Sequence, residues 1–254
     1  MRVVVVGASS GLGRCIGIGL ARRGARVAFM ARRRDRLEDA AAEAGPDAVA
    51  ITCDVTDAHS CETAVRGAAD ALGGVDALVY ATGIGPLRRL ADTDAATWRH
   101  VFDTNVTGAS VVTTAALAEL TRSHGRAIYL SSISASQTPP WPGLGAYAVS
   151  KAALDKLVEA WRAEHPNIGF TRLVVGDCAG GDGHGQTEFA TDWDPDLAME
   201  LAPLWLARGY MTGTLIDVEH LIDAVDAITR AGSSISMPSV TVAPRAAAAP
   251  PADA

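Results

Sequence analysis

Tyr147 and Lys151 stand four residues apart in Tyr147-Ala148-Val149-Ser150-Lys151, a spacing that sets a phenol and an ammonium on one face of a helix. A free tyrosine ionises at about pH 10 and is a poor proton carrier at neutrality, but a neighbouring cation stabilises the phenolate and lowers that value. The pair is then a usable general acid/base. Taken alone it is equally the ordinary packing of a Tyr and a Lys one turn apart.

A second group lies near the start of the chain, where Gly7-Ala8-Ser9-Ser10-Gly11-Leu12-Gly13 follows an apolar run. Glycines at a strand-to-helix junction let the backbone approach a pyrophosphate, and the helix N-terminus then turns free N–H groups toward the anion. The spacing is G-x-x-x-G-x-G, a variant of the general dinucleotide fingerprint, and a tight turn with no ligand would use the same glycines. The next strand ends in Arg32 and Arg33, where an acidic residue would bind a ribose 2′-hydroxyl and an arginine accommodates a 2′-phosphate. This favours NADP(H) over NAD(H); a solvated basic helix start is the other reading. Asp54, ending the third strand, either hydrogen-bonds an adenine edge or caps the segment from Val55 as an Asx turn.

The elements that hold these residues alternate. Strands are predicted at 1–6, 25–30, 49–53, 75–80, 126–130, 168–175 and 236–243, and helices at 14–23, 36–44, 60–72, 146–163 and 218–230, with one long helix or two across 95–121. Uniformly apolar strands in series with helices predict a doubly wound α/β fold on a parallel sheet. One domain is expected over 1–243, followed by a disordered Ala/Pro tail at 244–254. Phe189, Trp193, Leu197, Leu201, Leu204 and Trp205 form an apolar set that is either core packing or a lid over a substrate.

With these motifs together, the chain resembles a single-domain short-chain dehydrogenase/reductase from residue 1 to about residue 176: the glycine turn, Tyr147 and Lys151, and Asn105 in Asn105-Val106-Thr107-Gly108. The resemblance implies hydride transfer between a nicotinamide and a carbonyl or carbinol carbon. Tyr147 would exchange the proton with the substrate oxygen, Lys151 would hold the nicotinamide ribose, a serine would bond the same oxygen, and Asn105 would position a water linking Lys151 to solvent. It also implies backbone contacts from Ala81 and Gly83, and association of the helices at 95–121 and 146–163 into a homodimer or homotetramer.

Three departures stand out. Tyr80-Ala81-Thr82-Gly83 replaces the family's Asn-Asn-Ala-Gly, and Gly176-Asp177 replaces its Pro-Gly. Ser134 has the usual spacing to Tyr147, but strand register, which fixes side-chain direction, favours Ser132 as the serine. These departures leave room for a non-catalytic NADP(H)-binding sensor or scaffold on the same fold.

Composition bounds the remainder. The chain has 254 residues, 48% hydrophobic and 20% charged, with a formal net charge of −7, which excludes a disordered or fibrous chain and disfavours nucleic acid and anionic membrane as partners. No apolar run is long enough for a secretory signal or a membrane span, and four scattered cysteines fit reduced thiols. A cytoplasmic enzyme acting on a small-molecule carbonyl or alcohol is the expectation. Asp192-Trp193-Asp194-Pro195-Asp196 opens like a calcium loop but has Leu197 where that loop requires glycine, and His184 has no companion ligands at metal spacing; no metal site is assigned.

Overall fold

Along β1 (Arg2–Val6), Val3 and Val5 enter the apolar layer on one side of the sheet and Val4 and Val6 enter the layer on the other. A strand covered on both faces needs no polar alternation, which is why this one reads as an unbroken valine run. The computed structural model describes residues 1–211, 213–232 and 234–245. Beside β1 lie β2 (Arg26–Ala31), β3 (Ala48–Thr52), β4 (Ala77–Tyr80), β5 (Arg126–Ser132), β6 (Gly169–Val175) and β7 (Ser239–Val242). All pair in parallel, in the order β3-β2-β1-β4-β5-β6-β7. This is the doubly wound sheet that the alternation predicts.

One face is covered by α1 (Gly11–Arg22), α2 (Arg34–Ala44) and α9 (Val218–Thr229), through Ile16, Leu20, Leu37, Leu221 and Val225. The other is covered by α3 (Ala58–Leu72), α5 (Gly108–Ser123) and α7 (Gly145–Glu164), through Val65, Leu72, Val112, Leu120, Leu154 and Val158. The predicted helix at 95–121 is α4 (Ala95–Phe102), a π turn (Asp103–Thr107) and α5 without a break.

Several boundaries differ from the sequence-based expectation. Helix α1 begins at Gly11, inside the glycine motif, and α2 begins at Arg34. Strand β5 runs on through Ser131 and Ser132, and a short helix, α6 (Ile133–Ser136), follows with Ser132 as its cap. The tryptophan-bearing segment contains a helix, α8 (Pro195–Ala207), in which Asp194 accepts bonds from the N–H groups of Asp196 and Leu197 and Pro195 occupies the first turn. The acidic cluster there is thus a helix start. Residues 246–254 of the expected tail lie outside the described residues. Among the described residues no helix is long and apolar enough to cross a membrane, and no three His, Cys, Asp or Glu side chains could jointly hold a metal ion.

Within the core, Thr113 donates to the Ala109 carbonyl at 2.6 Å and sits 2.7 Å from the Tyr129 hydroxyl, with both side chains fully buried. Thr113→Val removes the acceptor for that phenol. A buried donor left without a partner costs about 1–3 kcal/mol, whereas removing both partners is nearly neutral. Urea denaturation should therefore show Thr113→Val destabilised by about 2 kcal/mol and most of that loss recovered in Thr113→Val/Tyr129→Phe. Additive losses would show that no such pairing exists.

Candidate active site

Chains leave β1 and β4 toward opposite faces of the sheet, into α1 and into the α4–α5 helix, and the gap between these neighbouring strand ends opens a crevice. A cavity of about 980 Å³ follows this edge. Gly7, Ser9, Ser10, Gly11, Leu12, Gly13, Arg32, Arg33, Asp54, Val55, Ala81, Gly83, Ser132, Tyr147 and Lys151 all line it. Asn105 does not; it is fully buried behind the wall.

The glycine turn is built by close backbone contact. Gly7 has φ +84°, and a Cβ there would stand 2.7 Å from the Thr82 backbone nitrogen; one on Gly13 would stand 2.4 Å from the Gly7 carbonyl oxygen. Only glycine permits both, and the result is a cradle at the start of α1, where Ser10 makes no side-chain cap bond and the first turn carries no acidic residue. A dinucleotide pyrophosphate fits such a cradle.

Arg33 binds back to this turn, donating through Nε to the Ser9 hydroxyl at 3.1 Å and through Nη2 to the Ser9 and Ser10 hydroxyls at 2.8 and 2.6 Å. Arg36, one turn along α2, joins it at the cavity. Both guanidiniums, and the Ser10 hydroxyl at 2.9 Å, bond a single carboxylate, that of Glu188, with Arg33 Nη1 at 2.6 Å. Burial raises the Glu188 pKa, but its bonds to Arg36, Arg33 and Ser10 outweigh that and hold it at about 2. Arg32 is exposed, and its charge acts on Asp54. Asp54 accepts from the Thr56 N–H at 2.9 Å and the Thr56 hydroxyl at 2.8 Å, so one of its oxygens is committed to an Asx turn.

At the other end, α7 brings Tyr147 and Lys151 under the end of β5. The Lys151 ammonium donates to the Leu130 carbonyl at 2.7 Å and lies 5.8 Å from the centroid of the Tyr147 ring. Burial drives the Lys151 pKa down to about 8, against the pull of Asp155 one turn on. Burial also pushes the Tyr147 phenol up to about 12, and a hydrogen bond with Ser132 offsets only part of this. The expectation that Lys151 lowers the Tyr147 value is thus corrected for the protein alone: desolvation dominates. Ser132, at the tip of β5, faces Tyr147, and Ser134 backs it with an Oγ–Oγ distance of 2.9 Å. Asn105 sits in the π turn, accepts from the Ile84 N–H and donates to the Ile84 carbonyl and the Ser150 hydroxyl, each at 2.9 Å. It clamps the segment after β4 to α7.

A strap after β6 closes the site. Thr187 lies over Gly11, Phe189 packs edge-on against Tyr147 at 4.8 Å between centroids, and the Trp193 indole donates to the Gly85 carbonyl at 2.8 Å. The apolar set at 189–205 is therefore both packing and cover, joined to Leu87, Trp141 and Leu144. Arg36 and Glu188 were not foreseen: Arg36 shows only as a further arginine three residues after Arg33, and Glu188 carries no local signal.

The family model of the short chain dehydrogenases matches residues 1–179. The chain belongs to this family. It is 35% identical over 180 residues to 11-beta-hydroxysteroid dehydrogenase A of Sesamum indicum, covering 68% of this chain and 51% of that protein. Over 191 residues it is 34% identical to the inactive 2-(S)-hydroxypropyl-CoM dehydrogenase 2 of Xanthobacter autotrophicus, with 74% and 82% covered. A solved dehydrogenase/reductase from Sinorhizobium meliloti superposes with TM-score 0.76 at 28% identity, covering 95% and 92% of the two chains. The chain spans about half the length of the first of these relatives.

Because the Lys151 ammonium has a pKa of about 8 when folded and 10.5 when free, the unfolded chain binds a proton that the folded one lacks between those values. Stability from this group therefore rises with pH across that window. Relative to Lys151→Met, the wild type should gain about 2 kcal/mol between pH 8 and pH 10 in urea denaturation. Parallel pH curves for the two proteins would refute the burial effect.

Proposed function

We propose that this short-chain dehydrogenase is an NADP(H)-dependent oxidoreductase that interconverts a ketone and a secondary alcohol. The observation that carries the reading is the convergence of Ser132, Tyr147 and Lys151 on the same cavity whose far end holds the glycine cradle, Arg33 and Arg36. When bound, the nicotinamide coenzyme supplies or accepts the hydride. Gly7 to Gly13 would hold its pyrophosphate, Asp54, Val55, Ala81 and Gly83 would border its adenine side, and Lys151 would hold the nicotinamide ribose.

The protein's own work is proton transfer at the substrate oxygen. The Ser132 hydroxyl and the Tyr147 phenol both address that oxygen, Ser132 as the fixed donor and Tyr147 as the group whose proton moves. A phenol held at about 12 keeps its proton at neutral pH, so in the protein alone Tyr147 is set as a general acid, the role that carbonyl reduction requires. The buried Lys151 ammonium keeps a cation beside the phenolate left after transfer and favours its return to the acid. Asn105 keeps the segment carrying Gly83 and Ile84 against α7, so the spacing of coenzyme and acid is fixed by buried bonds.

A relative described as inactive on the same fold makes the sensor reading worth an explicit test. Tyr147→Phe should lower NADPH-dependent ketone reduction, followed by absorbance with a carbonyl panel, by roughly 10³-fold while leaving NADPH affinity within about twofold. Unchanged properties would favour the non-catalytic reading. For the coenzyme, Arg33→Ala should weaken NADPH binding by about tenfold in a fluorescence titration, the loss of one charge-assisted bond, with NADH binding nearly unchanged. Equal losses for both coenzymes would reject a 2′-phosphate site.

A further inference from the structure

The Glu188 carboxylate comes from the strap after β6, yet its partners belong to the first turn of α2 and the glycine turn, more than 150 residues away in sequence. Three donors meet on it: Arg33, Arg36 and the Ser10 hydroxyl. All lie on the cavity wall, and Arg33 simultaneously grips Ser9 and Ser10. Two guanidiniums and a hydroxyl converging on one anion are the donor set that recognises a phosphate. We propose that Glu188 is an internal occupant of the coenzyme's 2′-phosphate position, and that its displacement sets how strongly the protein prefers a 2′-phosphorylated adenosine. This rests on the NADP(H) reading above.

Two features make the contact reversible. The Glu188 and Arg33 side chains are 37% and 45% exposed, so solvent screens the ion pair and it is weak. The strap is also held elsewhere, by the Thr187 N–H on the Ala179 carbonyl at 2.9 Å and by Trp193 on Gly85 at 2.8 Å, so Glu188 can leave while the strap stays attached. A dianionic phosphate outcompetes a single carboxylate for two arginines, and binding is weakened by the fraction of molecules in which Glu188 holds the place.

The test uses adenosine 2′,5′-bisphosphate and adenosine 5′-monophosphate as probes, titrated by calorimetry into the full chain. Glu188→Gln keeps the size and polarity of the side chain and removes the charge. It should tighten the bisphosphate by about tenfold, leave the monophosphate within about twofold, and lose its effect in an Arg33→Ala/Arg36→Ala background. If the wild type prefers the bisphosphate and Arg33→Ala abolishes that preference, but Glu188→Gln changes nothing or tightens both probes alike, the Glu188 proposal fails and the NADP(H) reading stands. A wild type that binds the two probes equally, with Arg33→Ala without effect, overturns both.

Discussion

Parallel pairing of seven strands places every strand end that leads into a helix on one edge of the sheet, and the site is assembled from what those ends carry. The glycine turn leaves β1, the arginines leave β2, Asp54 follows β3, Ala81 and Gly83 follow β4, Ser132 tips β5 and the strap leaves β6. None of these segments is near its neighbours in sequence. Crossover helices on both faces bury β4 and β5 throughout and β1 from Val3 to Val6, so the edge is rigid where the chemistry requires fixed spacing. Tyr147 and Lys151, carried on α7, are the exceptions, and the buried ammonium ties them in: its bond to the Leu130 carbonyl anchors the helix to the last residues of β5.

That ammonium is also held at an electrostatic cost. A buried cation loses its hydration, and Lys151 regains the Leu130 carbonyl bond, the face of the Tyr147 ring and a partial return from Asp155, itself a buried carboxyl pushed up by desolvation and drawn down by Ser131, Arg172 and Lys151. The same apolar surroundings raise the Tyr147 phenol. Acid and cation are thus displaced in opposite directions by one cause, which moves their values apart and keeps the phenol protonated.

The two ends of the cavity differ in how they are held. At the proton-transfer end the polar groups are buried and engaged with the backbone; at the arginine end they are half-exposed and engaged with a side chain of the strap. The first arrangement resists rearrangement and the second permits exchange of one anion for another.

The sheet, its parallel sense and the two apolar layers were legible in the sequence because burial on both faces leaves a record in every strand: continuous valine, alanine and leucine runs separated by glycine. The glycine turn and the Tyr147–Lys151 pair were legible because each depends on short-range spacing, whereas Asn105 was named through the family resemblance and Ser132 through strand register. Helix α8 was obscured, since its apolar residues serve the cover over Tyr147 and its acidic start looked like a loop. What the sequence could not encode locally is the meeting of Glu188 with Arg33, Arg36 and Ser10, and the rise of the Tyr147 pKa beside a cation. Both depend on which groups the fold brings together and how much water it removes, and those quantities exist only once the strand ends share one edge.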